Sequence, residues 1–371
     1  MQYNKTVLQQ ALERVLKAVP AKHTLPALKA IKMEVGVGAT TLSATDFDVF
    51  ISTTIESDTN SEHTLFVPGR IFSTIIGSLS PRFPVELRTN EQTLFIKSGR
   101  SNFEIPLMAG DDYPNIQPLT QKVGDIPATT FRSLIDNVKP FIDTSLPVLA
   151  LQGVHLKSEH GELTVEGTDR FTVSKETEHW GGSDFDVVVP ANGVFAAVSN
   201  ATIGDLEIFH DDGRFGWFDG HTHFSARLFD ADYVVLDKIV EHRGGYKHLL
   251  VFKNDDLKTA IKQLRTTSEV KVPRIVFTVN NNEVTLHSSS NDGSSTVQVD
   301  AEVFGENSQF VVGPTHIDKV LSTTAGLIGF AYDEPNRPIW MYQSPDFEAG
   351  QNDVRIYPQD RQILVMPVRA A

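Results

Sequence analysis

The chain has 371 residues, no cysteine and a formal net charge of −14 at pH 7. Disulfides, thiolate chemistry and Cys-ligated zinc are thereby excluded, and no apolar run approaches the ~20 residues that a membrane-spanning helix needs. A composition of 40% hydrophobic and 22% charged residues is ordinary for a globular protein of two or three domains. The opening Met1-Gln2-Tyr3-Asn4-Lys5 lacks the basic start and apolar stretch of a signal peptide, so a cytoplasmic location is expected.

In chain order, the first element is a helix over 4–19. Val7, Leu8, Ala11, Leu12, Val15, Leu16 and Val19 form its apolar stripe, with Lys5, Glu13, Arg14 and Lys17 facing away. Alternating runs such as Thr40-Thr41-Leu42-Ser43-Ala44 follow as half-buried strands. Phe66-Val67 then leads through Pro68 into a second helix over 69–80. Proline suits that place because a first helical turn has no use for its missing N–H. The same plan returns with helices at 129–141 and 191–201, the latter after Val188-Val189-Pro190. It returns again with helices at 255–266 and 314–324, the latter after Val311-Val312-Gly313-Pro314.

The three prolines are 122 and 124 residues apart. Leu8, Phe131 and Leu257 are spaced by 123 and 126, Thr45-Asp46 and Thr168-Asp169 by 123, and Phe103 and Phe224 by 121. Such a period is too long for a solenoid unit and is the size of a domain. The chain therefore reads as one α+β domain used three times, each copy placing two helices on antiparallel sheets. The expected modules are 1–122, 123–246 and 247–371.

Charge is unevenly spread. The six helices hold ten Lys/Arg and five Asp/Glu, leaving them at +5 and the rest of the chain at −19. Basic helices within an acidic protein suit one that holds a polyanion on one face and repels it elsewhere. The bland alternative is that helices simply favour Lys and Arg over Asp.

No catalytic constellation stands out. There is no G-x-S-x-G elbow and no G-x-x-x-x-G-K-[ST] loop. His221-Thr222-His223, with His210, Asp211 and Asp212, is the best metal candidate, since residues i and i+2 share a strand face. A metal-dependent α+β hydrolase using His210, His221 and His223 is thus one alternative; a polar hairpin with solvated histidines accounts for the same residues.

The three-copy plan, Lys22-His23-Thr24-Leu25-Pro26, Lys97-Ser98-Gly99-Arg100-Ser101-Asn102-Phe103, Asp111-Asp112-Tyr113-Pro114, Leu151-Gln152-Gly153-Val154, Thr168-Asp169-Arg170-Phe171 and Val365-Met366-Pro367-Val368-Arg369 occur in an order that resembles the bacterial DNA polymerase III β subunit, the sliding clamp. The resemblance implies a head-to-tail homodimeric ring around double-stranded DNA. It implies a processivity factor without catalytic activity or cofactor, acting at the nucleoid with a replicative polymerase and a clamp loader. A monomeric clamp-like peptide-binding module is a further alternative.

The resemblance also implies sites. A pocket for short linear peptides would use Leu151, Thr168, Arg170, Phe171, Thr172, Val173, Val234, Lys238, Ile239, His316, Pro338, Leu364, Met366, Pro367, Val368 and Arg369. DNA would meet Lys22, Arg14, Lys17, Arg70, Arg132, Lys139, Lys258, Lys262 and Arg265. The subunit interface would use Arg100, Phe103 and Ile105 against Thr266 and Thr267, where an apolar pair is usual. Thr172 stands where an Arg is usual, Tyr233-Val234 for a Phe-Pro pair, and His316 for a Tyr; these departures imply an altered peptide preference.

Overall fold

The computed structural model describes residues 1–59, 62–198, 204–211, 213–236, 239, 244–267, 274–291, 293–350 and 353–368. Among the described residues, six helices lie where the apolar periodicity places them: α1 Lys5–Val15, α2 Gly69–Ser78, α3 Ala128–Val138, α4 Ala191–Val198, α5 Asn254–Leu264 and α6 Pro314–Thr323. The helix expected over 4–19 becomes α1 followed by a 3-10 turn, Leu16–Ala18. Asn4 caps α1 by accepting the amides of Thr6 and Val7 at 2.9 and 3.3 Å. Val7, expected in the buried stripe, is 43% exposed. At 100° per residue it lies about 40° outside the arc from Ala11 to Leu12 that meets the sheet.

Packing gathers the chain into two compact units, Met1–Ser133 with Trp180–Asp230, and Leu134–His179 with Ala231–Ala371. Each unit combines an outer repeat with part of the middle one.

The first unit is built on an eight-stranded antiparallel sheet. Its order is His63–Pro68, Ala30–Gly36, Ala39–Thr45, Val49–Glu56, Thr222–Arg227, Arg214–Phe218, Asp205–Asp211 and Lys122–Pro127. The middle step joins two repeats: Val49 to Thr53 pair with Ala226 back to Thr222. Leu8, Leu12 and Val15 of α1 are buried, and α1 packs on the strands Ala39–Thr45 and Val49–Glu56 and on α2. Trp217 lies between Phe224 at 4.0 Å and Phe131 of α3 at 5.4 Å. A smaller sheet runs Gln2–Tyr3, Val85–Thr89, Thr93–Ser98, Ser101–Pro106, so Ser101–Pro106 is an edge strand.

The second unit repeats this logic. A sheet orders Gly153–Glu159, Glu162–Thr168, Thr172–His179, Arg361–Val365, Ile339–Gln343, Leu327–Tyr332, His248–Lys253 and Ala301–Phe304. Again one step joins two repeats: Thr172 to Glu176 pair with Val365 back to Arg361. Both faces of this sheet are covered. Phe252, Phe330, Met341, Ile363 and Val365 enter one core with α5, α6 and the sheet formed by Ile275–Asn280, Glu283–Ser289, Ser294–Val299 and Ser308–Val312. Val251, Ala331, Trp340, Tyr342 and Leu364 enter the other, under Tyr246, Val354 and Ile356 of a small three-stranded sheet. Two-sided burial explains why His248-Leu-Leu-Val-Phe-Lys253 reads as a continuous apolar run without alternation.

The first of these cores is centred on Phe277, 0% exposed, with the rings of Phe310, Phe330 and Phe252 at 4.8, 5.9 and 6.3 Å. Phe277→Ala removes that packing and is expected to cost about 3–5 kcal/mol in urea unfolding. A loss below about 1 kcal/mol would mean that this core collapses around the gap.

Candidate functional site

The Thr-Asp motif is a hairpin turn, and its chemistry fixes a particular backbone. Thr168 Oγ1 donates to the Thr172 carbonyl at 2.7 Å and accepts the Arg170 amide at 3.1 Å. Asp169 Oδ1 accepts the amides of Phe171 and Thr172 at 2.9 and 2.7 Å, and the Thr172 hydroxyl at 2.8 Å. These bonds hold Arg170 at φ 79, a left-handed conformation unusual for a non-glycine residue. Phe171 is turned out to 56% exposure.

The tail strand fixes what lies beside this turn. Leu364 sits opposite Val173 on one side and Trp340 on the other. Beyond the strand, the Met366 amide donates to the Phe171 carbonyl at 2.8 Å and the Val368 amide to Val311 at 2.8 Å. Met366 is half-buried against the core that holds Val173, Leu236 and Leu364. Pro338, also half-buried, precedes Ile339, the register partner of Val365. Pro367 is half-buried and Val368 38% exposed. The other wall comes from α6. His316 stacks on Phe171 with ring centroids 5.4 Å apart and planes at 15°, and Lys319 pairs with the Asp169 carboxylate.

Electrostatics follow from burial. For Asp169, burial pushes the carboxyl upward, but hydrogen bonds from Lys319, Thr172 and the Phe171 amide outweigh it and hold the group below the usual carboxylate range. Burial moves His316 below its ordinary value, so its ring meets Phe171 as a neutral aromatic at pH 7. Thr172, in place of the usual Arg, is fully buried and spends its hydroxyl on Asp169.

Several expected pocket residues are walls and not surface. Leu151, Thr168, Thr172, Val173 and Leu364 are each at most 6% exposed. The accessible apolar groups are Phe171, Val234, Ile239 and Val368, with Met366 partly open. Val148, Leu149 and Val235, at 40, 52 and 72% exposure, extend this set; the sequence signal for the first two is the run Pro147-Val148-Leu149-Ala150-Leu151 just before a buried strand. Leu236, 5% exposed, ties the Val234–Ile239 segment to the core beside Val173 and Leu364. Lys238, Arg369 and the side chain of Thr267 lie outside the described residues.

Of the residues expected to meet DNA, Lys17, Lys22, Arg70, Lys139, Lys258, Lys262 and Arg265 are exposed, and Arg14 and Arg132 half-buried. Arg265 pairs with Asp318 at 2.6 Å, Arg70 donates to the Val19 carbonyl and Arg14 to Thr222. At the expected interface, Arg100 and Thr266 are exposed and Phe103 half-buried, whereas Ile105 is 4% exposed and faces its own core.

The histidines of the metal alternative are not brought together. His223 stacks on Phe218 at 4.1 Å, His210 lies 6.1 Å from Phe185, and the His221 amide donates to Asp219 within a turn. Asp212 lies outside the described residues, and among the described residues no group of three His, Asp or Glu side chains could hold a metal.

Comparison with known proteins agrees with the fold at full length. The sequence profile of the DNA polymerase III beta subunit, N-terminal domain, matches residues 1–117. The beta sliding clamp of Streptomyces coelicolor is 23% identical over 379 residues, covering 98% of both chains. Along its whole length the chain is similar to beta sliding clamps, and its first third matches the DNA polymerase III β subunit. Among solved structures, a Pseudomonas aeruginosa sliding clamp bound to griselimycin superposes with a TM-score of 0.90 at 21% identity, covering 100% of this chain and 99% of that one. The Bacillus subtilis clamp gives 0.88 at 20% identity, with the same coverage. None of these likenesses supports the hydrolase alternative.

Because the native Asp169 carboxyl is held low, the stability it contributes is complete above the ordinary Asp value near ~3.9 and drains away as acid protonates it. In urea unfolding between about pH 5 and 3, the wild type is therefore expected to lose stability more steeply than Asp169→Asn. Parallel pH curves for the two proteins would remove the Asp169–Lys319 pair from this account.

Proposed function

We propose that this protein is a DNA sliding clamp of the DNA polymerase III β subunit family. Two copies, head to tail, enclose duplex DNA and tether the replicative polymerase and its loader through short peptides. It has no active site of its own. The observation that carries the reading is the correspondence with clamps along the whole chain, at 98% coverage in sequence and a TM-score of 0.90 in fold.

The physics of the chain supports it. Helices whose apolar faces are spent on sheets leave Lys17, Arg70, Lys139, Lys258, Lys262 and Arg265 in solvent. Exposed cations attract phosphate through a screened, sequence-independent field, which permits sliding. The acidic remainder keeps DNA off other surfaces. Ser101–Pro106 and Ser294–Val299 are edge strands, each in its own unit, and pairing of one with the other across two subunits would close the ring by strand addition. We take 1–122, 123–246 and 247–371 as the three modules of this ring.

The peptide site we assign to Phe171, Val234, Ile239, His316, Met366, Pro367 and Val368, with Val148, Leu149 and Val235 at its margin. Exposed aromatic and aliphatic groups around a soft methionine suit apolar anchors from several partners. Tethering by a ring then replaces polymerase dissociation with recapture at high local concentration.

Two outcomes follow. Protein loaded on nicked circular DNA is expected to stay bound through gel filtration and to run off once the circle is cut; equal retention on both forms would contradict topological binding. Met366→Ala combined with Phe171→Ala is expected to weaken a labelled clamp-binding peptide of a replicative polymerase by about 2 kcal/mol, the scale of interface anchors. Unchanged affinity in that titration would remove the assignment.

A further inference from the structure

The frame that presents Phe171 exists twice. In the first unit, Thr45 Oγ1 donates to the Val49 carbonyl at 2.7 Å and accepts the Phe47 amide at 3.0 Å, while Asp46 Oδ1 accepts the amides of Asp48 and Val49 at 3.1 and 2.7 Å. Phe47 is held at φ 77, as Arg170 is at 79. The chain leaving the strand Thr222–Arg227 then repeats the two tail bonds. The Arg227 amide donates to Asp48 at 2.7 Å, as Met366 does to Phe171, and the Phe229 amide to Val188 at 3.0 Å, as Val368 does to Val311. Asp48 and Phe171 are 123 residues apart, as are Val188 and Val311, while both tail pairs are 139 apart. This is one ledge, built by the same bonds in two places.

The first-unit ledge borders a cavity of about 550 Å³. Val49, Ile51, Leu228 and Phe229 give it an apolar floor. Gly193 of α4 closes one side, where a Cβ would come within 2.7 Å of Val49 Cγ2, so the helix sits directly on the strand. The rim differs in charge from the second-unit ledge. There the turn carboxylate is neutralised by Lys319 and the outward position is Phe171. Here Asp46, Asp48 and Asp230 line the cavity against Lys17 and Arg227, and the outward position is the exposed Asp48.

We propose that this groove is a second peptide-docking site, for an extended partner segment that sets an apolar side chain on Val49 and Leu228 and a Lys or Arg beside Asp48 and Asp230. The proposal rests on the reading that the Phe171 ledge docks peptides, and extends it to a basic segment. Such a site would let one subunit hold two partners, or two segments of one partner, at once.

The test uses the full-length protein and methyl NMR of its Val and Leu residues. One probe is an acetylated octapeptide with two adjacent leucines flanked by arginines; the other carries glutamates for arginines. The arginine peptide is expected to shift the Val49 and Leu228 methyls saturably, and the glutamate peptide to bind there at least tenfold more weakly. The exposed double change Asp48→Lys with Asp230→Lys is expected to reverse that order, with the remaining methyl spectrum reporting an intact fold. Absence of saturable shifts at Val49 and Leu228 with either peptide, or an order the double change leaves unaltered, overturns the proposal. The Phe171 site is read in the same spectra from Val234 and Val368, so failure here is distinct from failure there.

Discussion

Everything at the site depends on a strand from one repeat adding to the sheet of the repeat before it. Thr172 to Glu176 pair with Val365 to Arg361, and Val49 to Thr53 with Ala226 to Thr222. That pairing brings the chain end past the Thr-Asp turn, where Met366 or Arg227 can donate to the turn's own carbonyl. Each sheet thereby becomes continuous across a repeat boundary, and the compact units no longer coincide with the repeats. Backbone register thus sets Met366 beside Phe171, and the helix Pro314–Thr323 adds His316, whose ring stacks on Phe171.

Much of this was legible in the residues. The spacing of 123 between Thr45-Asp46 and Thr168-Asp169 marked two turns that share four hydrogen bonds and a left-handed third residue, Phe47 or Arg170. Prolines 68, 190 and 314 marked three helix starts, at Gly69, Ala191 and Pro314. What could not be read was depth. Leu364 and Met366 both fall in an apolar tail, yet Leu364 is 1% exposed between Val173 and Trp340 while Met366 reaches the surface. Alternation fails as a guide where both faces of a sheet are covered. The Asp169–Lys319 pair was equally hidden, since it spans 150 residues and depends on where α6 lies.

The departures from the family pattern acquire physical content. Thr172 closes the Asp169 turn from within instead of reaching outward. His316 supplies a neutral ring that stacks on Phe171. Tyr233 lies flat on His155 at 4.2 Å, and His155 meets Glu166 at 3.0 Å, so that segment is pinned at its start while Val234 and Val235 remain outside. The proposed peptide site keeps its backbone frame and changes its tips, a route by which peptide preference would drift without loss of fold.

The claim that the repeats are fused by strand addition is tested most directly by amide hydrogen exchange. The amides of Thr172–Glu176 and Ile363–Val365 are expected to exchange as slowly as those of the Phe277 core strand, opening only with the unit as a whole. Exchange at those amides on the timescale of the loops, with the Phe277 strand still protected, would show that the tail strand is a detachable flap and that the ledge it supports is not a fixed site.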